Sequence, residues 1–151
     1  MRLGFFKSDE LNFVEFNITG DDYNFQKLSQ ESYYLSSEVF NLFVSCFEKS
    51  NELYEYFEPT KYNARKIVIL RNELLNYYEN IVRINDYNTF IEYLDNLFLG
   101  KAFINSLENL DLNWKNHWKK YHTDLLNINK EMISIVEKCI DEVRILWIIG
   151  Y

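Results

Sequence analysis

The fold is decided by residues 114–139, which read WKNHWKKYHTDLLNINKEMISIVEKC. Apolar side chains recur here at alternating spacings of four and three residues, at Trp114, Trp118, Tyr121, Leu125, Ile128, Met132, Ile135 and Cys139. This heptad pattern predicts one long helix with a buried seam, beginning near Asp111 or Asn113. A wider apolar face favours the central core helix of a bundle over an isolated coiled coil. The additional apolar residues are Leu126, Ile133, Val136 and Ile140.

Two helices are predicted upstream of residue 84. The first spans about 29–57, because apolar residues recur at helical spacing; they are Phe40, Phe43, Phe47, Tyr54 and Phe57, widened by Val39, Cys46 and Leu53. Pro59 ends it, since the residue before a proline is pushed away from helical geometry. The second helix spans 61–83, and its buried stripe consists of Ile67, Leu70, Leu74, Tyr78 and Ile81.

A third helix is predicted from Thr89 to about Asn109. Thr89 and Glu92 match a capping box, in which each side chain satisfies a free backbone N–H at the helix start. The preceding residues 85–88 form a turn. Gly100 is a weak point inside this helix, because glycine lowers helix propensity.

Strands are predicted near both ends of the sequence. Residues 2–6 and 11–18 flank a polar turn at Lys7 to Glu10, and Ile145 to Ile149 form a buried strand that pairs with them. Four glycines and one proline are too few for a fold rich in turns. The sequence thus predicts a single domain over 1–151 that is mainly α (α+β): a bundle of about four helices with a small sheet of N-terminal strands and a C-terminal strand.

The net charge of the chain lies in its first 60 residues. Four basic residues stand there against eleven carboxylates, which accounts for the whole net charge of −7. Four glutamates recur every three or four residues, so they are predicted to line one face near the end of the first helix. Summed charge steers association, so an acidic face for a basic partner is predicted. Its candidate residues are Asp21, Asp22, Glu48, Glu52, Glu55 and Glu58.

Histidine and cysteine form no recognisable catalytic or metal-binding motif. His117 and His122 are five residues apart, which places them on different sides of a helix and disfavours a shared metal ion. Cys139 on the same unbroken helix lies too far along the axis from either histidine to form a nucleophilic pair. Cys46 lies in an apolar stripe, where a thiolate is disfavoured. We therefore expect no cofactor, no metal site and no enzymatic activity.

A basic patch interleaved with aromatic residues lies at the start of the long helix. Lys115, Lys119 and Lys120 alternate with Trp114, Trp118 and Tyr121, a pattern found on nucleic-acid-binding surfaces. The aromatic residues have core spacing, however, and the chain is acidic overall. An ordinary solvated helix face is therefore favoured over nucleic-acid binding.

The location expected from the sequence is the cytoplasm. Cys46 and Cys139 are isolated and are interpreted as buried thiols in a reducing compartment. The N-terminal residues 1–10 lack the apolar segment of a signal peptide. The apolar run at 145–149 is far shorter than the roughly 20 residues needed to span a bilayer, so no membrane association is expected.

The C-terminal part of the sequence resembles small bacterial immunity proteins of polymorphic toxin and contact-dependent inhibition systems. The resemblance lies in ISIVEKC at 133–139 followed by LWIIGY at 146–151, and in EPTKY at 58–62 leading into a helix with Leu70, Leu74 and Leu75. It implies a cytosolic, non-enzymatic inhibitor that binds a cognate toxin domain, and the acidic face predicts that this domain is basic. The alternatives are an enzyme whose site is assembled from distant residues and a nucleic-acid-binding or regulatory helical protein.

Overall fold

A four-stranded antiparallel sheet joins distant parts of the sequence in the computed structural model, which describes residues 1–7 and 12–151. Its spatial order is β2-β1-β4-β3. The strands are β1 (Phe13–Asn17), β2 (Tyr33–Ser36), β3 (Thr60–Tyr62) and β4 (Leu146–Gly150). Val14 of β1 lies opposite Gly150 of β4, and Phe16 lies opposite Ile148. The predicted pairing of the C-terminal strand with the segment near residues 11–18 is therefore confirmed.

Helices make up about 52% of the chain and strands about 12%, which confirms the α+β class. The first helical segment is interrupted: α1 (Ser37–Phe40) continues through a 3-10 turn (Asn41–Phe43) into α2 (Val44–Ser50). The longer helices follow as α3 (Ala64–Val82), α4 (Tyr87–Asp95), α5 (Gly100–Leu110) and α6 (Trp118–Asp141).

The core lies where α3 and α6 pack together and against one face of the sheet. The heptad seam is buried as predicted, except that Trp118 is only half-buried. Phe16 of β1 and Leu35 of β2 join this core from the sheet. Burial of large apolar side chains, each contributing about 1.5–3 kcal/mol, is what holds the helices on the sheet.

The other face of the sheet is covered as well, so every residue of β1 is buried. Phe13 packs there with Tyr34 and with Phe6, which forms a single bridge with Tyr34. Apart from that bridge, residues 2–6 form no strand, so the prediction of a strand there is wrong. The predicted turn begins at Lys7, and its remaining residues, 8–10, lie outside the described residues.

The helix predicted over 29–57 is wrong at both ends. Residues 33–36 pair with β1 as strand β2, because strand pairing in the sheet overrides the helical spacing of their neighbours. At the other end α2 stops at Ser50, whose Oγ donates back to the carbonyl of Cys46 at 2.7 Å. Asn51 then takes an extended conformation. The chain consequently leaves the helix eight residues before Pro59.

The predicted third helix divides into α4 and α5. Asp86, not Thr89, is the cap of α4: its Oδ1 accepts from the Thr89 backbone N–H at 2.9 Å, so the helix begins earlier than the capping-box pattern indicated. Gly100 is the first residue of α5, where a β-carbon would lie 1.7 Å from the Leu94 carbonyl oxygen. Only glycine permits this close approach. The start of α6 is also later than predicted, because residues 111–117 form turns.

Candidate partner-binding surface

The four predicted glutamates do not share one helix face. Because α2 ends at Ser50, only Glu48 is helical. Glu52, Glu55 and Glu58 lie in the loop formed by residues 51–59, here called the acidic loop. All four side chains are exposed. The predicted helical stripe is therefore wrong in its geometry, and the structure instead spreads the carboxylates along the end of α2 and the loop that follows.

Asp21 and Asp22 have structural partners of their own. Asp21 accepts from the backbone N–H groups of Tyr23 at 2.8 Å and Asn24 at 2.7 Å, and these hydrogen bonds lower its carboxyl pKa. Asp22 forms an ion pair with Lys61 at 3.1 Å. Their charges are therefore engaged within the fold, whereas over residues 1–7 and 12–151 no ion pair is formed by Glu48, Glu52, Glu55 or Glu58.

The acidic loop is held at its start by Asn51, a buried residue. Its Nδ2 donates to the Lys61 carbonyl at 3.1 Å, which ties the loop to β3. Its Oδ1 accepts from the Leu53 N–H at 3.1 Å and from the Lys66 ammonium at 2.8 Å. A side chain that satisfies backbone groups on both sides of a loop restricts its conformations, so the acidic loop presents a defined surface.

The middle of the acidic loop rests on the sheet and on the core. The Tyr56 carbonyl oxygen lies against Gly150 of β4, in space that a β-carbon would occupy. The Tyr54 ring packs beside Phe40 and Phe47 at centroid distances of 6.5 and 6.4 Å. Burial, followed by the nearby Tyr56 and Glu48, raises the pKa of the Tyr54 hydroxyl, which stays protonated at neutral pH.

Apolar side chains project from the acidic loop into solvent. Leu53 is 75% exposed and Phe57 is 83% exposed, although both were predicted to lie on the apolar face of a helix. Phe57 makes an edge contact with Tyr56 at a centroid distance of 4.9 Å. Large apolar groups that remain exposed on an otherwise well-packed domain commonly mark interaction sites.

A second exposed apolar pair lies at the turn between α4 and α5. Phe98 is 59% exposed and Leu99 is 49% exposed. Leu99 has a φ of +54°, in the left-handed region that costs a non-glycine residue of order 1 kcal/mol. The backbone thus holds a bulky side chain at a strained position on the surface, a feature that clusters at functional sites.

The acidic loop and the 98–99 turn face each other across one groove of about 460 Å³. Its lining is largely apolar, with a single carboxylate, and consists of Asn41, Val44, Glu48, Tyr54, Tyr56, Phe57, Phe98 and Leu99. The nearby Lys49 forms an ion pair with Glu73 at 3.7 Å. Its positive charge is therefore not available to neutralise Glu48 alone. The groove therefore combines apolar walls with negative charge.

The groove was missed at the sequence level because its walls come from segments about 40 residues apart in the sequence. Phe98 and Leu99 were assigned to the interior of a helix, and Tyr54 and Phe57 to a buried stripe. One local signal was present: Ser50 and Asn51 are poor residues for a helix interior, and they mark the true end of α2.

The histidines and cysteines serve the fold in the structure. His117 Nδ1 lies 2.7 Å from Asp111 Oδ2, and His122 Nε2 lies 2.7 Å from the Ile81 carbonyl oxygen. Both thiols are buried. Burial raises the pKa of the Cys139 thiol to about 11 and that of Cys46 further, which disfavours the nucleophilic thiolate. Over residues 1–7 and 12–151, no three His, Cys, Asp or Glu side chains are grouped to hold a metal ion.

The basic patch of Lys115, Lys119 and Lys120 is exposed, but its aromatic neighbours face inward. Trp114 and Tyr121 are buried, and Trp118 packs beside Phe90 at a centroid distance of 5.8 Å. Single-stranded nucleic acid is bound by aromatic faces that bases can stack on. Trp114 and Tyr121 present no such face, and Trp118 is half-buried.

Among the residues that the structure describes, no helix is both long enough and apolar enough to cross a bilayer. Comparison of the chain with protein-family models, curated proteins and solved structures gave no match. The groove and its acidic surroundings are therefore interpreted from their own geometry and charge.

Proposed function

We propose that this chain is a protein-binding module, specifically a cytoplasmic immunity protein that binds and neutralises a cognate bacterial toxin domain. The observation that carries the proposal is the exposed apolar surface of the acidic loop, with Leu53 and Phe57 held among Glu52, Glu55 and Glu58. Exposed apolar anchors surrounded by polar residues are the usual composition of a protein interface.

In this mechanism, surface charge controls association with the partner, and burial of apolar side chains controls dissociation. Uncompensated glutamates attract a basic partner over several ångströms and accelerate encounter. The exposed apolar side chains then become buried and slow dissociation, since affinity within one interface is tuned mainly through the dissociation rate. A toxin that handles nucleic acid has a basic active site, so an acidic inhibitor that docks there would exclude its substrate.

The first test is gene context, followed by direct binding. The proposal expects a gene for a large toxin immediately upstream, and the purified C-terminal domain of that toxin is the probe. Calorimetry should show a saturable complex, and co-expression should protect cells from the toxin. Absence of such a gene, or absence of binding to its product, would contradict toxin neutralisation.

Charge reversal tests which face of the protein binds the toxin domain. Changing Glu48, Glu52 and Glu55 together to Lys should slow association with the toxin domain and weaken protection, while stability stays nearly unchanged, because exposed charges affect encounter more than folding. The effect should shrink as salt rises beyond about 0.15 M, where the Debye length is about 8 Å.

The matched control reverses Lys115, Lys119 and Lys120 to Glu, which changes the same number of exposed charges on another surface. This variant should keep its association rate within about twofold, because exposed charges more than a Debye length from the interface are largely screened. If the lysine reversals abolish binding and the glutamate reversals do not, the acidic-face mechanism is wrong and the basic patch is the binding surface.

A further inference from the structure

We propose that the groove between the acidic loop and the 98–99 turn receives a large apolar side chain of the partner protein, next to a Lys or Arg that pairs with Glu48. This inference rests on the proposed protein-binding function and specifies the chemistry of the segment that is bound. The occupant is a basic, amphipathic stretch of the partner.

The shape of the groove supports an inserted side chain. Tyr54 and Tyr56 form one wall together with Phe57, and Phe98 and Leu99 face them from a different part of the chain. A volume of about 460 Å³ is ample for one aromatic or branched aliphatic side chain with part of its backbone. Aromatic walls in a concave site are where binding energy concentrates in protein interfaces.

Charge complementarity identifies the occupant as basic. Glu48 is the one ionisable carboxylate in the lining, and Glu52, Glu55 and Glu58 lie along the chain beside the tyrosines and Phe57 of the wall. A carboxylate at the edge of an apolar site attracts a cation more strongly once water is excluded by a bound segment.

The same charges argue against a second copy of this chain as the occupant. A symmetric dimer through this surface would place the acidic loop of one copy against that of the other. Like charges brought together in an interface are unfavourable. A partner with the opposite charge removes this penalty.

The test titrates two synthetic hexapeptides, KKLFKK and EELFEE, into isotope-labelled protein and follows backbone amide signals by NMR. The peptides share apolar residues and differ only in charge. KKLFKK should shift the signals of Tyr56, Phe98 and Leu99 in a saturable manner below about 5 mM, the weak affinity expected of a short flexible peptide. EELFEE should bind at least about fivefold more weakly because its charges are repelled.

Two variants locate the site, each with a matched control. Phe98→Ala should weaken KKLFKK binding at least about threefold, as expected for an apolar anchor, whereas Leu112→Ala, at a residue 95% exposed elsewhere, should not change it. Glu48→Gln should weaken binding and reduce its salt dependence, whereas Glu79→Gln on the exposed side of α3 should do neither. Thermal unfolding of each variant verifies that the fold is retained.

Equal shifts with both peptides, no saturable shift at the groove, or unchanged binding by Phe98→Ala and Glu48→Gln would each overturn the groove assignment. The outcome is separable from that of the proposed function. If these variants still bind the toxin domain as wild type does, the groove is wrong while toxin neutralisation stands. If the peptide binds the groove and no toxin is bound, the toxin function is wrong while the groove stands.

Discussion

The carbonyl oxygen of Tyr56 lies 2.3 Å from the point where a β-carbon at Gly150 would stand. The acidic loop thus rests on a central strand of the sheet at a residue with no side chain. Gly150 faces Val14 across the β1–β4 pair, so the support beneath the loop belongs to the two central strands of the sheet. This contact links the position of the loop to the sheet, in addition to the hydrogen bond from Asn51 to the Lys61 carbonyl of β3.

Gly150→Ala should displace the acidic loop and weaken partner binding. The added methyl group has no room, and insertion of this kind typically costs about 1–3 kcal/mol of unfolding free energy. Urea unfolding and binding to the partner provide the two measurements. Ser134→Ala, at an exposed position of α6, is the control and should change the unfolding free energy by no more than about 0.5 kcal/mol. An unchanged unfolding free energy in Gly150→Ala would show that the acidic loop can move away from β4 without loss of stability.

Leu125→Ala should lower the unfolding free energy by about 2–5 kcal/mol, because Leu125 is fully buried in the seam of α6 and its truncation leaves a cavity. Chemical denaturation measures the change. Leu112→Ala removes the same atoms from an exposed site and should be nearly neutral, within about 0.5 kcal/mol. If Leu125→Ala also lowered the unfolding free energy by no more than about 0.5 kcal/mol, the seam would not lie in the core.

Asn129→Leu should stabilise the protein by about 1 kcal/mol. Asn129 is fully buried in α6, and among the residues that the structure describes neither its amide nitrogen nor its amide oxygen has a hydrogen-bond partner. An unsatisfied buried polar group costs about 1–3 kcal/mol, which an apolar side chain of similar size removes. Thermal and urea unfolding give the value, with Asn127→Leu on the exposed side of α6 as the control. Destabilisation in Asn129→Leu alone would contradict this account.

Asp111→Asn should destabilise the protein at neutral pH and have a diminishing effect in acid. The hydrogen bond with His117 is the main cause that holds the Asp111 pKa below its ordinary value of 3.8, with further hydrogen bonds from the Asn113 N–H and the Tyr121 hydroxyl. A depressed folded-state pKa contributes stability above the unfolded pKa, and this contribution is lost as pH falls through the folded pKa.

Urea unfolding measured from pH 7 to about pH 2 therefore tests this role of Asp111. At the acid end the wild-type carboxyl is protonated, so it carries no charge, like the amide of the Asp111→Asn variant. The difference between wild type and Asp111→Asn should be present above pH 3.8 and should shrink below it. Asp95→Asn, at an exposed position at the end of α4, is the control and should show little pH dependence. A constant difference at all pH values would assign the effect to packing.

The sequence predicted those elements whose burial follows a simple period. α6 and α3 bury one stripe over many turns, so the apolar spacing alone specified them. β4 was recognisable as a short run of β-forming apolar residues with the N-terminal strands as its natural partners. Its second partner, β3, was missed because residues 61 and 62 were assigned to the following helix. These elements form the core, where periodicity directly reflects contact with the rest of the fold.

The candidate site was not predictable in the same way, because it depends on where regular structure stops. Glu48 does line the groove, but Glu52, Glu55 and Glu58 follow it in a loop rather than on a helix. The end of α2 is fixed by local bonds from Ser50 to the Cys46 and Phe47 carbonyls and by a longer-range bond from Asn51 to the Lys61 carbonyl of β3. Phe98 and Leu99 reach the groove at a turn where Leu99 takes a left-handed conformation. Contacts between segments that are far apart in the sequence leave little trace in the spacing of apolar residues within each segment.

The pairing of β1 with β4 has a consequence for how the protein forms during synthesis. The two strands belong to opposite parts of the sequence, so the ribosome delivers β4 long after β1, α2 and the acidic loop. Until β4 docks, Tyr56 has no Gly150 to rest on, and contacts between such distant segments are among the slowest to form. The acidic loop therefore gains this support on the sheet only after β4 has been synthesised and has docked beside β1.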